Sequence, residues 1–400
     1  MMKTYKFKLK TKQNPEFVQG VEKTLELCRE LYNAALEERK NAWTLNRVSI
    51  NRSIQSSQLP EIKGIRPEFL TVHSQVLQDV LARVDKAFEA FFRRINNGET
   101  PGSPRFKSFD RYDSFTYPQS GFTVDGTKLT LSKIGSVRMR LSRAIEGRIK
   151  TCTIKREAGA YYVTFTFEPN QSRFIPKTGK KVGIDLGLHT FAALSTGDEI
   201  VNPRFYRTSE AELAKANQVL ARKKKKSNNR KKAKIRLQKV HRKIADQRKD
   251  FAHKEVNKLI ERFDEFHVED LNLKGMVRHP NLSKSIHDAS WNLFVNVLTN
   301  KVEETGRKVI RKVAAYTSQT CSDCGQRLPE KIDLSVRLFV CPFCGLTADR
   351  DTNAAINILN SEQVVKEKSK TSGYGIRKYG RTARLSGASA PRKESPTITA

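Results

Sequence analysis

The first hundred residues change from a strand pattern to helical patterns. Polar and apolar residues alternate over residues 3–10, as in a strand with one buried face. Asn14 and Pro15 then supply a cap residue and a proline for the first position of a helix. Apolar residues recur at helical spacing beyond them, and again from Val76 to Ile95. We therefore predict a bundle of helices over residues 13–102.

Strand signals replace the helical ones after a stretch at residues 96–108 that is rich in glycine and proline. Five short alternating runs lie between Phe115 and Glu168, and turn residues such as Asp125-Gly126 separate them. These runs predict a small antiparallel β-barrel over residues 1–12 and 103–178, into which the N-terminal strand folds back. The helical bundle would then be an insertion in a β domain.

The pattern changes again at Lys181. A strand ending near Leu186, a second strand through Leu194 and a third after a Thr-Gly-Asp turn predict a three-strand meander. A buried strand follows that ends at Glu269, and then a helix and a further strand. We therefore expect a multidomain α/β protein with an additional β-barrel. Residues 361–400 hold nine basic and three acidic residues with little apolar pattern, which predicts a disordered basic tail.

Net charge indicates the class of partner. The chain has 75 Lys and Arg against 42 Asp and Glu, a net charge of +33 that attracts polyphosphate. Nucleic acid is the leading partner, and an acidic membrane surface is the alternative. Between Arg222 and Asp250, 15 of 29 residues are basic. The break at residues 227–229 predicts an antiparallel helical hairpin that either binds a polyanion or is simply solvated.

Nothing in the sequence predicts a membrane protein. No stretch approaches the roughly 18 consecutive apolar residues of a membrane span. The N-terminus also lacks the apolar core of a signal peptide. The six cysteines fit a reducing compartment, because four fall into Cys-x-x-Cys pairs while Cys28 and Cys152 sit singly in apolar runs. We therefore expect no membrane partner and a cytoplasmic protein.

The two cysteine pairs have the spacing of a structural zinc site. Cys321 and Cys324 are separated by sixteen residues from Cys341 and Cys344. Four thiolates fill the tetrahedral coordination of Zn²⁺ and leave no open position. The sequence therefore predicts one structural Zn²⁺ in a ribbon. A redox-active disulfide is the weaker alternative.

Two carboxylates stand where a charged group is costly, and two more lie at the start of a helix. Asp185 and Glu269 each close an apolar strand, where an unpaired charge costs several kcal/mol. Asp349 and Asp351 come shortly after the second cysteine pair, at the start of an alanine-rich helix. A three-carboxylate magnesium site, formed by Asp185, Glu269 and one of the aspartates 349 and 351, is one interpretation. Ordinary turn and cap residues are the other, because aspartate is a common helix N-cap.

Several motifs resemble one known family. These are IDLG, QRKDFAHK, VEDLNLKGM, HDASW, SQTCSDCG, CPFCG and DRDTNAAINI, which lie between residues 184 and 358. AFEAFFRR and PRFKS in the N-terminal half are fainter echoes. Together they resemble TnpB, the RNA-guided nuclease that bacterial and archaeal insertion sequences encode, which is related to type V CRISPR effectors.

The resemblance implies a division of the chain and a chemistry. It implies an RNase H-like, RuvC-type nuclease domain at 179–312 and 346–360, interrupted by a zinc-ribbon, target-nucleic-acid-binding insert at 313–345. The barrel would be the wedge domain, and the helical bundle the recognition insert. Catalysis would rest on Asp185, Glu269 and Asp351, which would hold two Mg²⁺ for phosphodiester hydrolysis. Zn²⁺ would be structural.

The resemblance also implies partners. They are a guide RNA from the transposon end and a double-stranded DNA target with a short adjacent motif, inside a bacterial or archaeal cell. We expect a monomer. The alternatives are an unguided RNase H-like resolvase or transposase, and a catalytically silent RNA-guided repressor. The candidate nucleic-acid contacts are polar or basic residues in the predicted barrel, insert and hairpin: Gln75, Gln78, Arg105, Lys107, Lys223, Lys224, Arg230, Arg242 and Arg248.

Overall fold

The computed structural model describes residues 2–170, 174–278, 282–313, 316–330, 332–333 and 336–365. Met1–Val364 form one compact unit. The predicted disordered tail falls mainly on residues 366–400, which lie outside the described residues. The five-part division of the chain stays a prediction.

The N-terminal half combines strands with a block of helices between the first strand and the second. Its elements are β1 (Lys3–Leu9), α1 (Pro15–Asn46), α2 (Arg52–Ser57), α3 (Leu59–Ile65), α4 (Ser74–Asn96), β2 (Ser114–Tyr117), β3 (Phe122–Asp125), β4 (Lys128–Leu131), β5 (Gly135–Arg140), β6 (Gly147–Glu157) and β7 (Ala160–Pro169). Short 3₁₀ turns lie at Pro67–Thr71 and Phe109–Arg111.

The strands form one antiparallel seven-stranded sheet in the order β2-β6-β7-β1-β5-β4-β3. The N-terminal strand β1 lies in its middle, between β7 and β5, as the alternation predicted. The two edge strands are consecutive in the chain, and Tyr117 and Phe122 at their facing ends have ring centroids 6.5 Å apart. The sheet is therefore a nearly closed barrel filled by aromatic residues, among them Phe115 and Phe165.

The helical block starts where its cap residues predicted. The side chain of Asn14 accepts a hydrogen bond from the backbone N–H of Phe17, and Pro15 begins α1. Helices α1 and α4 share one hydrophobic core with the barrel. The guanidinium of Arg83 in α4 donates to the Ser114 carbonyl of β2 at 2.7 Å. The helices are therefore packed and hydrogen-bonded to the barrel.

The second half is built on a five-stranded mixed sheet. Its elements are β8 (Lys181–Leu186), β9 (Thr190–Leu194), β10 (Glu199–Val201), α5 (Phe205–Thr208), α6 (Glu210–Ala221), α7 (Asn228–Arg262), β11 (Glu265–Glu269), α8 (Leu273–Met276), α9 (Ser283–Ala289), α10 (Trp291–Glu304), β12 (Lys308–Lys312), β13 (Leu338–Val340), β14 (Thr347–Asp349) and α11 (Arg350–Asn360). The order is β10-β9-β8-β11-β12. The first three strands form the predicted antiparallel meander, and β8, β11 and β12 run parallel.

The two faces of this sheet are covered by different helices. Val182 and Ile184 of β8 point into a core that also contains Val256 of α7 and Phe294 of α10. The alternate positions of the strand point to the other face, where α11 packs on β8. Helices α7 and α10 therefore cover one face and α11 the other.

Helices α6 and α7 pack as the predicted hairpin, and Leu213, Val240 and Ile244 form its small core. Ser227 caps α7 by accepting from the N–H of Arg230. The basic residues before the break form the turn instead of a helical arm, because α6 ends at Ala221. Among the described residues, no helix is long and apolar enough to cross a membrane.

Candidate catalytic carboxylates, zinc ribbon and basic groove

Asp185 and Glu269 meet at one edge of the five-stranded sheet. Strands β8 and β11 are parallel neighbours, with Val268 paired to Ile184. One residue further, this register brings Glu269 beside Asp185 at the carboxyl ends of both strands. By strand alternation both side chains lie on the face that α11 covers.

Asp351 reaches the same place from the first turn of α11. A side chain at Gly183 would put its Cβ 2.0 Å from the carbonyl oxygen of Ala355, so α11 touches the backbone of β8 there. Glycine at this position thus lets a helix approach the strand closely. An added Cβ at Gly187 would lie 3.9 Å from Asp351 Oδ2, which shows that Asp351 points toward the end of β8.

The carboxylates perturb one another. Burial, and then the charge of Asp351, raise the pKa of Asp185 from 3.8 to about 7. Burial, and then the charge of Asp185, raise the pKa of Glu269 from 4.5 to about 8. Both carboxylates would attract a cation into this cluster, because the cation would neutralise charges that burial makes costly.

The donor set fits Mg²⁺, which prefers carboxylate oxygens. Among the residues that the structure describes, the four cysteines form a compact group of possible metal ligands, and the three carboxylates are not part of such a group. Arg337 also donates to Asp351 Oδ2 at 3.3 Å, which compensates part of the negative charge. Asp349 is the N-cap of α11 and accepts from the N–H of Thr352.

The four predicted cysteines come together. The sulfurs of Cys321 and Cys344 are 3.6 Å apart, as are those of Cys324 and Cys341, and all four lie within 4.8 Å of one another. Tetrahedral zinc with bonds of about 2.3 Å places its sulfurs about 3.8 Å apart. The cluster therefore fits a Zn²⁺ with four thiolate ligands.

The backbone around each pair has the same shape. Gly325 donates to the Cys321 carbonyl and Gly345 to the Cys341 carbonyl, and both glycines have positive φ, +72° and +78°. A residue with a side chain is strained in that conformation, which explains the glycine after each pair. Burial opposes ionisation of Cys341, yet the N–H groups of Cys344 and Phe343 lower its pKa to about 7.

The predicted nucleic-acid contacts in the insert and barrel remain predictions. Gln78 and Arg105 are exposed. Gln75 accepts hydrogen bonds from the N–H and hydroxyl of Ser120. The backbone of Lys107 is held by the amide of Asn33.

In the hairpin, three of the predicted contacts are engaged within the protein. Arg230 donates to the carbonyl of Leu220 in the last turn of α6 and to that of Lys223 in the hairpin turn. Arg242 pairs with Asp246 and lies 3.9 Å from the centre of the Tyr162 ring. Arg248 pairs with the buried Asp288. Lys223 and Lys224 are exposed in the turn.

A basic groove of about 1060 Å³ lies between the barrel and α7. Lys8 of β1 and Arg140 of β5 line it and are directly paired across the two antiparallel strands. Like charges in such a pair are destabilising unless an anion compensates them. Lys10, Lys12 and Lys239 also line the groove.

The groove keeps most of its positive charge. Its two acidic residues, Asp246 and Asp250, are paired with Arg242 and Lys254 of their own helix. Within the described part of the chain, Lys8 and Arg140 form no ion pair. The sequence signal for this surface is the alternation of Lys8 and Lys10 with buried residues at the end of β1, a pattern that predicts a strand but does not by itself indicate a binding face.

Two family models match the chain. One is described as a probable transposase, OrfB of IS605, and covers residues 165–279. The other is described as Cas12f1-like, TNB domain, and covers residues 291–358. The first segment contains Asp185 and Glu269, and the second contains the four zinc-site cysteines and Asp351.

Full-length relatives extend the match. A Streptomyces pristinaespiralis protein named "Putative RNA-guided DNA endonuclease" is 34% identical over 410 residues, 100% of this chain and 99% of that protein. The Escherichia coli K12 protein "Putative RNA-guided DNA endonuclease InsQ" is 30% identical over 357 residues, 84% of this chain and 87% of that protein.

A solved Cas12f1-sgRNA-target DNA complex aligns with a TM-score of 0.58 at 16% identity, over 88% of this chain and 86% of that one. At this identity the alignment bears on the fold alone. The relative that matches along its whole length, together with the two family models, shows that the chain belongs to the TnpB family.

Proposed function

We propose that this protein is a guide-RNA-dependent DNA endonuclease that hydrolyses phosphodiester bonds at a RuvC-type, two-metal site. The observation that carries the proposal is the convergence of Asp185, Glu269 and Asp351 at one sheet edge, with the pKa values of Asp185 and Glu269 raised to about 7 and about 8. The names of the full-length relatives support the activity. The meander followed by two parallel strands supports the RNase H-like part.

The carboxylates would hold the ions. Two Mg²⁺ would supply an activated water and stabilise the leaving oxygen of the cut strand. Asp185 is electrostatically coupled to both other groups, because its charge raises the pKa of Glu269 and the charge of Asp351 raises the pKa of Asp185. It would be one of the residues that hold the ions. Loading requires deprotonated ligands, so Mg²⁺ affinity should rise with pH up to about 8.

The basic groove would hold the guide RNA. It lies against α7, which covers the sheet face opposite to the carboxylates. A strand held there would not be the strand that is cut, which suits a guide. Such a contact reads backbone charge and leaves sequence reading to base pairing. Lys8, Arg140 and Lys239 are the residues that we expect to contact phosphates.

The zinc ribbon would serve structure and target binding. Its four thiolates leave no open position on zinc, so the ion would not react with the substrate. The ribbon lies beside the carboxylates, since its residue Arg337 pairs with Asp351. A target strand bound along the ribbon would therefore end near the carboxylates.

The proposal is tested by co-expressing the protein with the DNA that flanks its gene. We expect the purified protein to carry one defined non-coding RNA. With that RNA and Mg²⁺ it should cut a plasmid library only at sequences that match the guide segment of the RNA next to a fixed short motif. Asp185→Ala should bind the same RNA and cut nothing.

The same experiment separates the alternatives. Cleavage without the RNA would indicate an unguided nuclease, and RNA-dependent DNA binding without cleavage would indicate a repressor. Wild-type protein with no enriched RNA would refute guidance. Cleavage by Asp185→Ala at the wild-type rate would refute the assignment of the site.

A further inference from the structure

Two asparagines, the buried Asn353 and the half-buried Asn357, join the zinc ribbon to the helix that carries Asp351. Asn353 is fully buried, with 0% of its surface exposed. Its Oδ1 accepts from the N–H of Ser322 at 2.8 Å, and its Nδ2 donates to the Thr320 carbonyl at 2.8 Å. These backbone groups flank Cys321, the first zinc ligand. One side chain therefore binds the ribbon through both a donor and an acceptor.

Asn357 repeats the contact one helical turn later. Its Nδ2 lies 2.8 Å from the Thr317 carbonyl oxygen and 2.7 Å from that of Thr320. The Thr320 carbonyl thus accepts from both asparagines. Apolar residues at these two positions would leave the half-buried carbonyls of Thr317 and Thr320 without these donors.

Opposite sides of α11 meet the sheet and the ribbon. Ala355 and Leu359 touch the position of Gly183 in β8, and Asp351 precedes them at the same helical spacing. Asn353 is two residues from Asp351, about 200° around the helix, and Asn357 lies below Asn353. The helix is therefore a layer between the sheet that carries Asp185 and the ribbon.

A third contact holds the other arm of the ribbon. The guanidinium of Arg350 donates to the carbonyls of Asp333 at 2.9 Å and Val336 at 3.2 Å. The N–H of Arg350 also donates to the Arg337 carbonyl at 2.8 Å, and the Arg337 side chain pairs with Asp351. Both arms of the ribbon are thus tied to the first turns of α11.

We propose that Asn353 and Asn357 are positioning residues that make the zinc ribbon and the carboxylate site one rigid body. They touch neither a metal nor a substrate. They fix the rotation of α11, and with it the direction of Asp351 relative to Asp185. The inference rests on the proposed function, because its effect on cleavage is measured at that site.

The test compares Asn353→Ala and Asn357→Ala with Asn360→Ala, an exposed position of the same helix. All are made in the full chain with its co-purified RNA. Asn353→Ala and Asn357→Ala, which we call the clamp variants, should keep one zinc per chain and bind RNA as the wild type does. Their cleavage rate should fall about 10- to 100-fold, the usual loss when a catalytic group is displaced by about 1 Å.

Two measurements do not depend on activity. In Asn353→Ala the Ser322 amide should exchange with deuterium faster, because it loses its acceptor. Mn²⁺ should bind more weakly to both clamp variants, by several-fold in titrations followed by electron paramagnetic resonance. Asn360→Ala should match the wild type in both measurements.

Unchanged cleavage and Mn²⁺ affinity in Asn353→Ala, with the Ser322 amide exposed, would overturn the inference. So would zinc loss in both clamp variants, since the asparagines would then only stabilise the ribbon. An equal loss of activity in Asn360→Ala would also overturn it. If the wild type cuts no target while the clamp variants still weaken Mn²⁺ binding, the proposed function fails and the positioning role stands.

Discussion

Replacing Asp185 by asparagine should stabilise the metal-free protein while abolishing cleavage. The pKa of Asp185 in the folded protein is about 7, against an ordinary value of 3.8, because burial and the charge of Asp351 oppose ionisation. The folded state therefore binds more protons than the unfolded chain between these two pKa values. Its stability falls as pH rises through this window, and the full loss is present above pH 7.

The magnitude follows from the shift. A difference of about 3 pKa units is worth about 4 kcal/mol at pH 8, at 1.36 kcal/mol per unit. The same relation leaves about 1.7 kcal/mol at pH 5, because pH 5 lies only part of the way through this window. Asparagine removes the ionisation cost but places a polar amide in the same buried site, which costs part of the gain, so we expect a net gain of about 1–3 kcal/mol at pH 8.

The assay is thermal unfolding in EDTA at pH 8 and pH 5. The compact unit spans Met1–Val364. With an unfolding entropy of about 2.1 cal/mol/K per residue, a change of 1 kcal/mol in the free energy of unfolding shifts its Tm by about 1.3 °C. Asp185→Asn should therefore raise Tm by about 1–4 °C at pH 8 and by less at pH 5. Glu269→Gln should raise Tm in the same way. Glu37→Gln, an exposed change in α1, should leave Tm unchanged.

At pH 8, Mg²⁺ should reverse the order of the two Tm values, so that the wild type unfolds at a higher temperature than Asp185→Asn. It should raise the Tm of the wild type and have less effect on Asp185→Asn, which lacks a ligand. A lower Tm for Asp185→Asn than for the wild type in EDTA at pH 8 would refute the reasoning, because it would show that the ionised carboxylate is stabilised without a metal.

Three further predictions concern zinc, helix packing and RNA. Cys341→Ser removes one of four thiolates, so elemental analysis should find well below one zinc per chain; full occupancy would contradict the site. Gly183→Ala places a Cβ 2.0 Å from a carbonyl of α11, and should cost about 1–3 kcal/mol in unfolding experiments and reduce cleavage. If both stay at wild-type values, the close approach is wrong. The double variant Lys8→Ala, Arg140→Ala should reduce the slope of the logarithm of RNA affinity against the logarithm of salt concentration by about 1–2. The exposed change Lys86→Ala should leave this slope unchanged. An unaltered slope in the double variant would exclude the groove from RNA binding.

Local chemistry made much of the fold predictable. The alternation in β1 and the Asn14-Pro15 start of α1 are encoded within a few residues, and both are found as predicted. The zinc cluster could be predicted equally well from the sequence, because two Cys-x-x-Cys pairs followed by glycines already specify two matching turns. In these cases the residues that determine the structure are neighbours in the chain.

The partners of the hairpin arginines could not be predicted in this way. Arg248 is one of many basic residues in its helix, and only the packing of α9 against α5 and α7 brings the buried Asp288 to it. Arg242 likewise stacks on Tyr162, which belongs to the barrel. A count of charges predicts a basic surface, but it does not distinguish an arginine that is paired from one that is free.

The sequence by itself determined the chemistry of this protein: four thiolates for zinc, and carboxylates at the ends of two apolar strands and at the start of a helix. The tertiary structure decided how they are combined. The parallel register of β8 and β11 brings Glu269 to Asp185, the contact of Gly183 with α11 brings Asp351, and Asn353 ties the ribbon behind it. These relations depend on contacts between segments distant in the chain, and a local pattern carries no information about them.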